Sequence, residues 1–193
     1  MYQEQTAEQI EYVEKTIQER SSNWMAWVNN AIHKSVEREN SILIIEKFTH
    51  ICQVYYSGKY VKSYPIELGS NWHADKKYID DNATPEGQYY VTRKLDLLGT
   101  QYYKSLQISF PSKLQKEFYQ EAFENKQLDN NSVLNAKISI HGGGNKGYDW
   151  TNGSIALDNN DLKELLQIVK IGTLVIIVGT VNIAMIKSVT KKL

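Results

Sequence analysis

The stretch whose reading decides the fold is ISIHGGGNKGYDWTNGSIALDNNDLKELLQIVKIGTLVIIVG, Ile138 to Gly179. It begins inside an alternating run, Ala136 to Ile140, that reads as a strand ending at His141. Gly142, Gly143 and Gly144 then interrupt regular structure. A short apolar run from Ser154 to Leu157 predicts a second strand. Asn160 is placed to cap a helix, DLKELLQIVKI, whose apolar face is Leu162, Leu165, Leu166 and Val169. Gly172 ends that helix, and Thr173 to Val178, all apolar or β-branched, predicts a core strand. By itself a histidine at a strand end reads as an ordinary turn residue. The glycines lack the context of a phosphate cradle, with neither a Gly-Lys-Ser/Thr nor a GxGxxG leading into a helix.

Outward from this region, SILIIEKFTHICQVYYSGKYVKSYPIELG, Ser41 to Gly69, holds short β-branched and aromatic runs, with Ser57-Gly58 as a hairpin turn. A polar loop follows, punctuated by Pro85 and Gly87, before a strand over Gln88 to Arg93. Lys104 to Phe110 predicts another strand, stopped by Pro111. Ser112 and Gln115 form the pattern of a capping box for a helix running to about Lys126. LDNNSVLN, Leu128 to Asn135, is a turn-rich link. Glu4 to Val36 shows helical spacing at Ile10, Val13 and Ile17, then at Trp24, Trp27, Val28, Ala31 and Ile32. Two helices are expected there, divided at Ser21-Ser22-Asn23, either packed on the body through the tryptophans or serving as a stalk.

Short strands with helices between them predict a mostly β or α+β domain. The expected organisation is an N-terminal helical segment over 1–40, a strand-rich domain over 41–180 and a C-terminal strand or tail over 181–193. The 193 residues suit one domain, and 22 basic against 22 acidic residues leave no net field to attract nucleic acid. One cysteine, Cys52, excludes an internal disulfide or a multi-cysteine zinc site, and it reads as a packed small residue. His33, His50 and His73 read as helix, strand and loop residues. Asp80, Asp81 and Asp149 read as solvated loop carboxylates, and neither metal nor cofactor is implied. The stretch Leu174 to Ile186 is broken by Gly179, Thr180 and Asn182, short of the roughly 20 residues of a membrane span. Met1 to Lys15 lacks the features of a secretory signal, so the protein stays inside or its leader lies outside this chain.

The run from His141 through Gly153-Ser154 to Asn160 resembles the signature region of the YkuD-type L,D-transpeptidase catalytic domain. There a strand ends in His-Gly, and a Ser/Thr-x-Gly-Cys element leads to an apolar strand and a helix opened by Asn-x-Asp. ILIIEKFTHICQVYYSGKYVKSYPIELG resembles that family's opening strands, and ATPEGQYYV, Ala83 to Val91, its Thr-Pro-x-Gly-x-aromatic element. The resemblance spans about Ile42 to Val178 and implies a β-sandwich-like catalytic domain with peripheral helices. It implies His141 as general base, Ser154 at the nucleophile position, Gly142 and Gly153 as backbone of the site, and Thr151 as the hydroxyl of the signature element. Asn152 stands where many members have a second histidine. Nine residues separate His141 from Thr151, fewer than is common, and Lys146, Tyr148 and Trp150 are expected to line the mouth.

The implied substrate is the peptidoglycan stem peptide, in a reaction forming crosslinks or attaching proteins to the cell wall. Periplasm or cell envelope is the implied location. The family nucleophile is a cysteine, whose thiol is readily deprotonated beside an imidazole, whereas serine needs an oriented base to take its proton. Two accounts of Ser154 stand open: a cysteine changed to serine, or a natural serine. Transpeptidase, carboxypeptidase and non-catalytic peptidoglycan binder are all compatible with the residues. The cysteine form is expected to be acylated by carbapenems.

Overall fold

A computed structural model describes residues 6–96, 102–126 and 136–182. The elements run α1 (Ala7–Glu37), β1 (Ser41–Glu46), β2 (Ile51–Tyr56), β3 (Lys59–Pro65), β4 (Gly87–Leu95), β5 (Ser105–Ile108), α2 (Lys113–Glu124), β6 (Ser139–His141), β7 (Ile155–Ala156), α3 (Asn159–Ile168) and β8 (Leu174–Val178). The strands form one curled mixed sheet in the order β3-β2-β1-β8-β4-β5-β6-β7, an α+β architecture.

β1 and β8 are parallel neighbours and both are buried along nearly their whole length. Their continuous apolar sequences, SILIIE and LVIIV, fit strands covered on both faces. β4 joins the two halves of the sheet: Gly87 to Tyr90 pair with β8, while Val91 to Leu95 pair with β5. The β2–β3 hairpin turns at Ser57 and Gly58, both at positive φ, as the Ser-Gly signal predicts. The Ser112–Gln115 capping box is present and starts α2. The predicted turn-rich link at 128–135 and the Lys-rich tail lie outside the described residues.

The expected pair of N-terminal helices is one helix of 31 residues. Ser21, Ser22 and Asn23 continue it, and Ser21 is buried within it. Local capping preference amounts to only about 1 kcal/mol, so packing along the helix decides the matter. Val13, Ile17, Trp24, Val28 and Ala31 enter the same core as the sheet, and Trp27 packs against its margin. Full burial of residues such as Ile17 and Val28 stabilises by about 1.5–3 kcal/mol each. Gly179, just past β8, is required by this helix, because a Cβ there would collide with the Trp24 ring.

A buried ionic cluster ties α1 to the body. Glu86, 3% exposed in its side chain, accepts from Arg20 Nη1 and Trp24 Nε1 at 3.1 Å each and from Lys47 Nζ at 3.2 Å. Lys47 also donates to the Ala74 carbonyl. Near it, burial and the neighbouring Glu86 push the Asp75 carboxyl above its ordinary range.

Candidate active site

His141 and Ser154 sit on neighbouring strands at the end of the sheet. β6 and β7 are parallel, with Ile140 opposite Ile155 and His141 opposite Ala156. By strand alternation Ser139, His141 and Ser154 face one side, while buried Ile140 and Ile155 face the other. His141 is thus two residues further along the sheet than Ser154, about 6.6 Å at ordinary strand rise. No hydrogen bond joins them: Ser154 Oγ accepts from the Ser139 amide at 3.2 Å.

The imidazole is fully buried. Its Nδ1 lies 2.7 Å from the Gly142 carbonyl, and because a carbonyl only accepts, Nδ1 carries the proton of the neutral ring. The lone pair is left on Nε2, which is buried and takes no hydrogen bond. Burial pushes the pKa below the ordinary histidine value, the Gly142 carbonyl opposes this, and the Lys146 ammonium adds to the lowering. Tyr102 stacks on the imidazole at 3.8 Å and 8°, and Trp150 meets its edge at 5.7 Å. Lys146 Nζ lies 3.3 Å from the Trp150 ring centroid, whereas Tyr148 is 49% exposed.

The turn before Ser154 is heavily held. Thr151 Oγ1 donates to the Ser154 carbonyl at 2.6 Å and accepts from the Gly153 amide at 3.2 Å. Gly153 has φ of +110°, and a Cβ there would collide with the Ala83 carbonyl. The buried Lys76 ammonium donates to the Asn152 carbonyl at 3.3 Å, the Ala83 carbonyl at 3.4 Å and Asp81 Oδ1 at 2.8 Å. Asn152 itself is exposed. Gly142 is buried, and a Cβ on it would collide with Asn159 Oδ1, the acceptor for the Gly143 amide.

Several residues that organise the site escaped the sequence reading. Glu67 accepts from the Gly147 amide at 2.6 Å and from Trp150 Nε1 at 2.7 Å, clamping the second half of the short loop. A charged residue within the apolar run Ile66-Glu67-Leu68 was the available signal. Asp149 is no solvated carboxylate: it accepts from the Leu68 amide at 2.7 Å and lies 2.8 Å from His50 Nε2. His50 occupies the turn after β1 rather than a strand. The Asp81 side chain is also largely covered, at 5% exposure. Burial alone would raise its pKa, but hydrogen bonds from Lys76 and from the amides of Tyr78, Ala83 and Lys77 hold it below the carboxylate range. Cys52 is sealed in the core, its thiol pushed up to about 12 by burial, which removes it as a nucleophile.

The curled α+β sheet thus carries a buried imidazole at the end of β6 and a hydroxyl on the glycine turn that opens β7. The family model of the L,D-transpeptidase catalytic domain, YkuD, matches residues 40–177, and the chain belongs to that family. Among solved structures, Bd1075 of Bdellovibrio bacteriovorus is similar over 80% of this chain and 54% of its own, at 16% identity and TM-score 0.56. An L,D-transpeptidase of Xylanimonas cellulosilytica is similar over 72% of this chain and 61% of its own, at 13% identity and TM-score 0.48. A third, an L,D-transpeptidase in complex with imipenem, covers 72% and 58%, at 14% identity and TM-score 0.43. The chain thus spans about half to three-fifths of the length of these proteins. No curated protein sequence matches significantly.

Proposed function

We propose that this chain is an acyl-transfer domain of the L,D-transpeptidase type, acting on the tetrapeptide stems of peptidoglycan in the cell envelope, with Ser154 at the nucleophile position. The observation that carries this is the His141 tautomer: the Nδ1 proton is committed to the Gly142 carbonyl, and the Nε2 lone pair is buried without a hydrogen bond, two strand positions along from Ser154. In the reaction, the nucleophile at 154 bonds to the stem carbonyl carbon while its proton passes to Nε2. The carbon–nitrogen bond then breaks, and the leaving amine takes that proton. The Ser154 amide is the candidate donor to the oxyanion, the Gly153 amide being engaged by Thr151 Oγ1, and Lys76 and Thr151 fix that turn. An amine completing the cycle gives a transpeptidase, and water gives a carboxypeptidase.

The test is Ser154→Cys incubated with imipenem and analysed by intact-protein mass spectrometry. A single covalent adduct is expected, forming about 10²–10⁴-fold more slowly when His141→Ala is added. A folded cysteine form that never takes the adduct and turns over no stem peptide overturns the reading.

A second reading, a non-catalytic peptidoglycan binder, is favoured by two observations: Ser154 Oγ engages Ser139 rather than His141, and Tyr102 covers the imidazole. Stem-peptide binding by the serine form without turnover supports it.

A further inference from the structure

The face that carries Ser154 continues across the sheet. Arg93 is opposite Gln107, Gln107 is opposite Ser139, and the Ser139 amide donates to Ser154 Oγ. Arg93, Gln107 and Ser139 form one row over β4, β5 and β6, which the Ser139–Ser154 hydrogen bond extends to the residue before β7, while Leu106, Ile140 and Ile155 are buried on the other face. At about 4.8 Å per strand the row is about 14 Å long. The register shift between Val91 and Arg93 places Thr92 and Arg93 together on the open side.

A groove of about 660 Å³ lies along the β4–β5 end of this row, with Gln107 and Ser109 in its lining and Arg93, Lys113, Lys116 and Lys137 around it. Among the described residues no carboxylate lines it. Lys113 makes one loose pair, 3.7 Å to Glu117 on its own helix. Arg93, Lys116 and Lys137 have no ion-pair partner among the described residues. In a chain of zero formal net charge, four cations around one groove create a local positive field that composition conceals.

We propose that this groove holds the free carboxylates of the acidic peptide whose acyl carbon is presented to Ser154. The inference rests on the acyl-transfer reading and adds to it the direction in which the substrate lies. The row supplies polar side chains for a peptide backbone between the hydroxyl and the cations. Charges spread along a groove suit carboxylates spaced along a peptide better than one compact anion.

The experiment uses the full chain and two synthetic tetrapeptide stems, one with free carboxylates and one fully amidated, titrated by calorimetry at low and high salt. The free acid should bind about tenfold more tightly, and this preference should shrink in salt. Arg93→Gln with Lys137→Gln should abolish the preference without shifting the thermal melt, since both side chains are exposed. Equal affinity for the two peptides, a preference untouched by the double variant, or capture of polyphosphate in place of the acidic peptide would each overturn the proposal. Imipenem acylation of Ser154→Cys is scored separately. An adduct without acid preference sinks the groove and keeps the chemistry; acid preference without an adduct keeps the groove and sinks the chemistry.

Discussion

Two buried polar regions of this molecule are built on opposite terms. Beneath α1, Lys47, Arg20 and the Trp24 indole all converge on Glu86, so each buried charge has a partner. Around His141, an equally buried imidazole has one nitrogen satisfied and the other left without a partner. The first arrangement holds a helix to a sheet. The second retains an unmet hydrogen bond, the form in which a base remains available for a proton.

The sharpest way to break the contrast is at Glu86. Glu86→Gln leaves the Lys47 ammonium, fully buried, without its counter-charge, and urea unfolding should show a loss of about 3–5 kcal/mol. A loss below about 1 kcal/mol would mean that the cluster does not anchor α1.

Glu67 tests the boundary between the two regions, since it is a hydrogen-bonded carboxylate that holds the loop after β6 from outside it. Glu67→Ala strands the Gly147 amide and the Trp150 indole, and should cost about 2 kcal/mol. Hydrogen exchange over residues 142–150 should accelerate more than in β1 and β8. Uniform acceleration would show that Glu67 serves the whole fold instead of the loop.

The smallest effect belongs to His141, although its consequence for chemistry is large. His141→Gln removes an unsatisfied nitrogen with little change in volume, so stability at pH 8 should move by less than about 1.5 kcal/mol. The pH dependence should change visibly. Because the folded pKa is depressed below 6.5, the unfolded chain binds the proton more readily, and His141 subtracts stability as pH falls from about 6.5 toward its folded value. The glutamine variant should therefore melt with a flatter profile below pH 6.5. His73, also lowered by burial and by Lys47, contributes with the same sign and keeps the profile from becoming level. Identical slopes in wild type and variant would contradict a neutral His141 imidazole in the folded state.

Local signals carried most of the fold. The Ser57-Gly58 hairpin, the Ser112–Gln115 box, the α3 stripe and the β8 run each depend on residues a few positions apart. They erred by two or three residues at the ends: α3 is capped by Asp158 rather than Asn160 and ends at Ile168 rather than Ile171. The division at Ser21–Asn23 failed for the opposite reason, because the continuity of α1 is fixed by packing along the whole sheet.

The sequence by itself determined the strands, the amphipathic helices and the order His141, Gly153, Ser154, since turn chemistry and periodicity act within a few residues. Tertiary structure decided the rest: which nitrogen of His141 is free, which hydroxyl contact Ser154 makes, and which carboxylates hold the loop. Glu67 reaches Trp150 across 83 positions, His50 reaches Asp149 across 99, and Lys76 reaches Asn152 across 76. A buried charge must find whichever partner the folded chain brings within reach, and that choice leaves no local pattern to read.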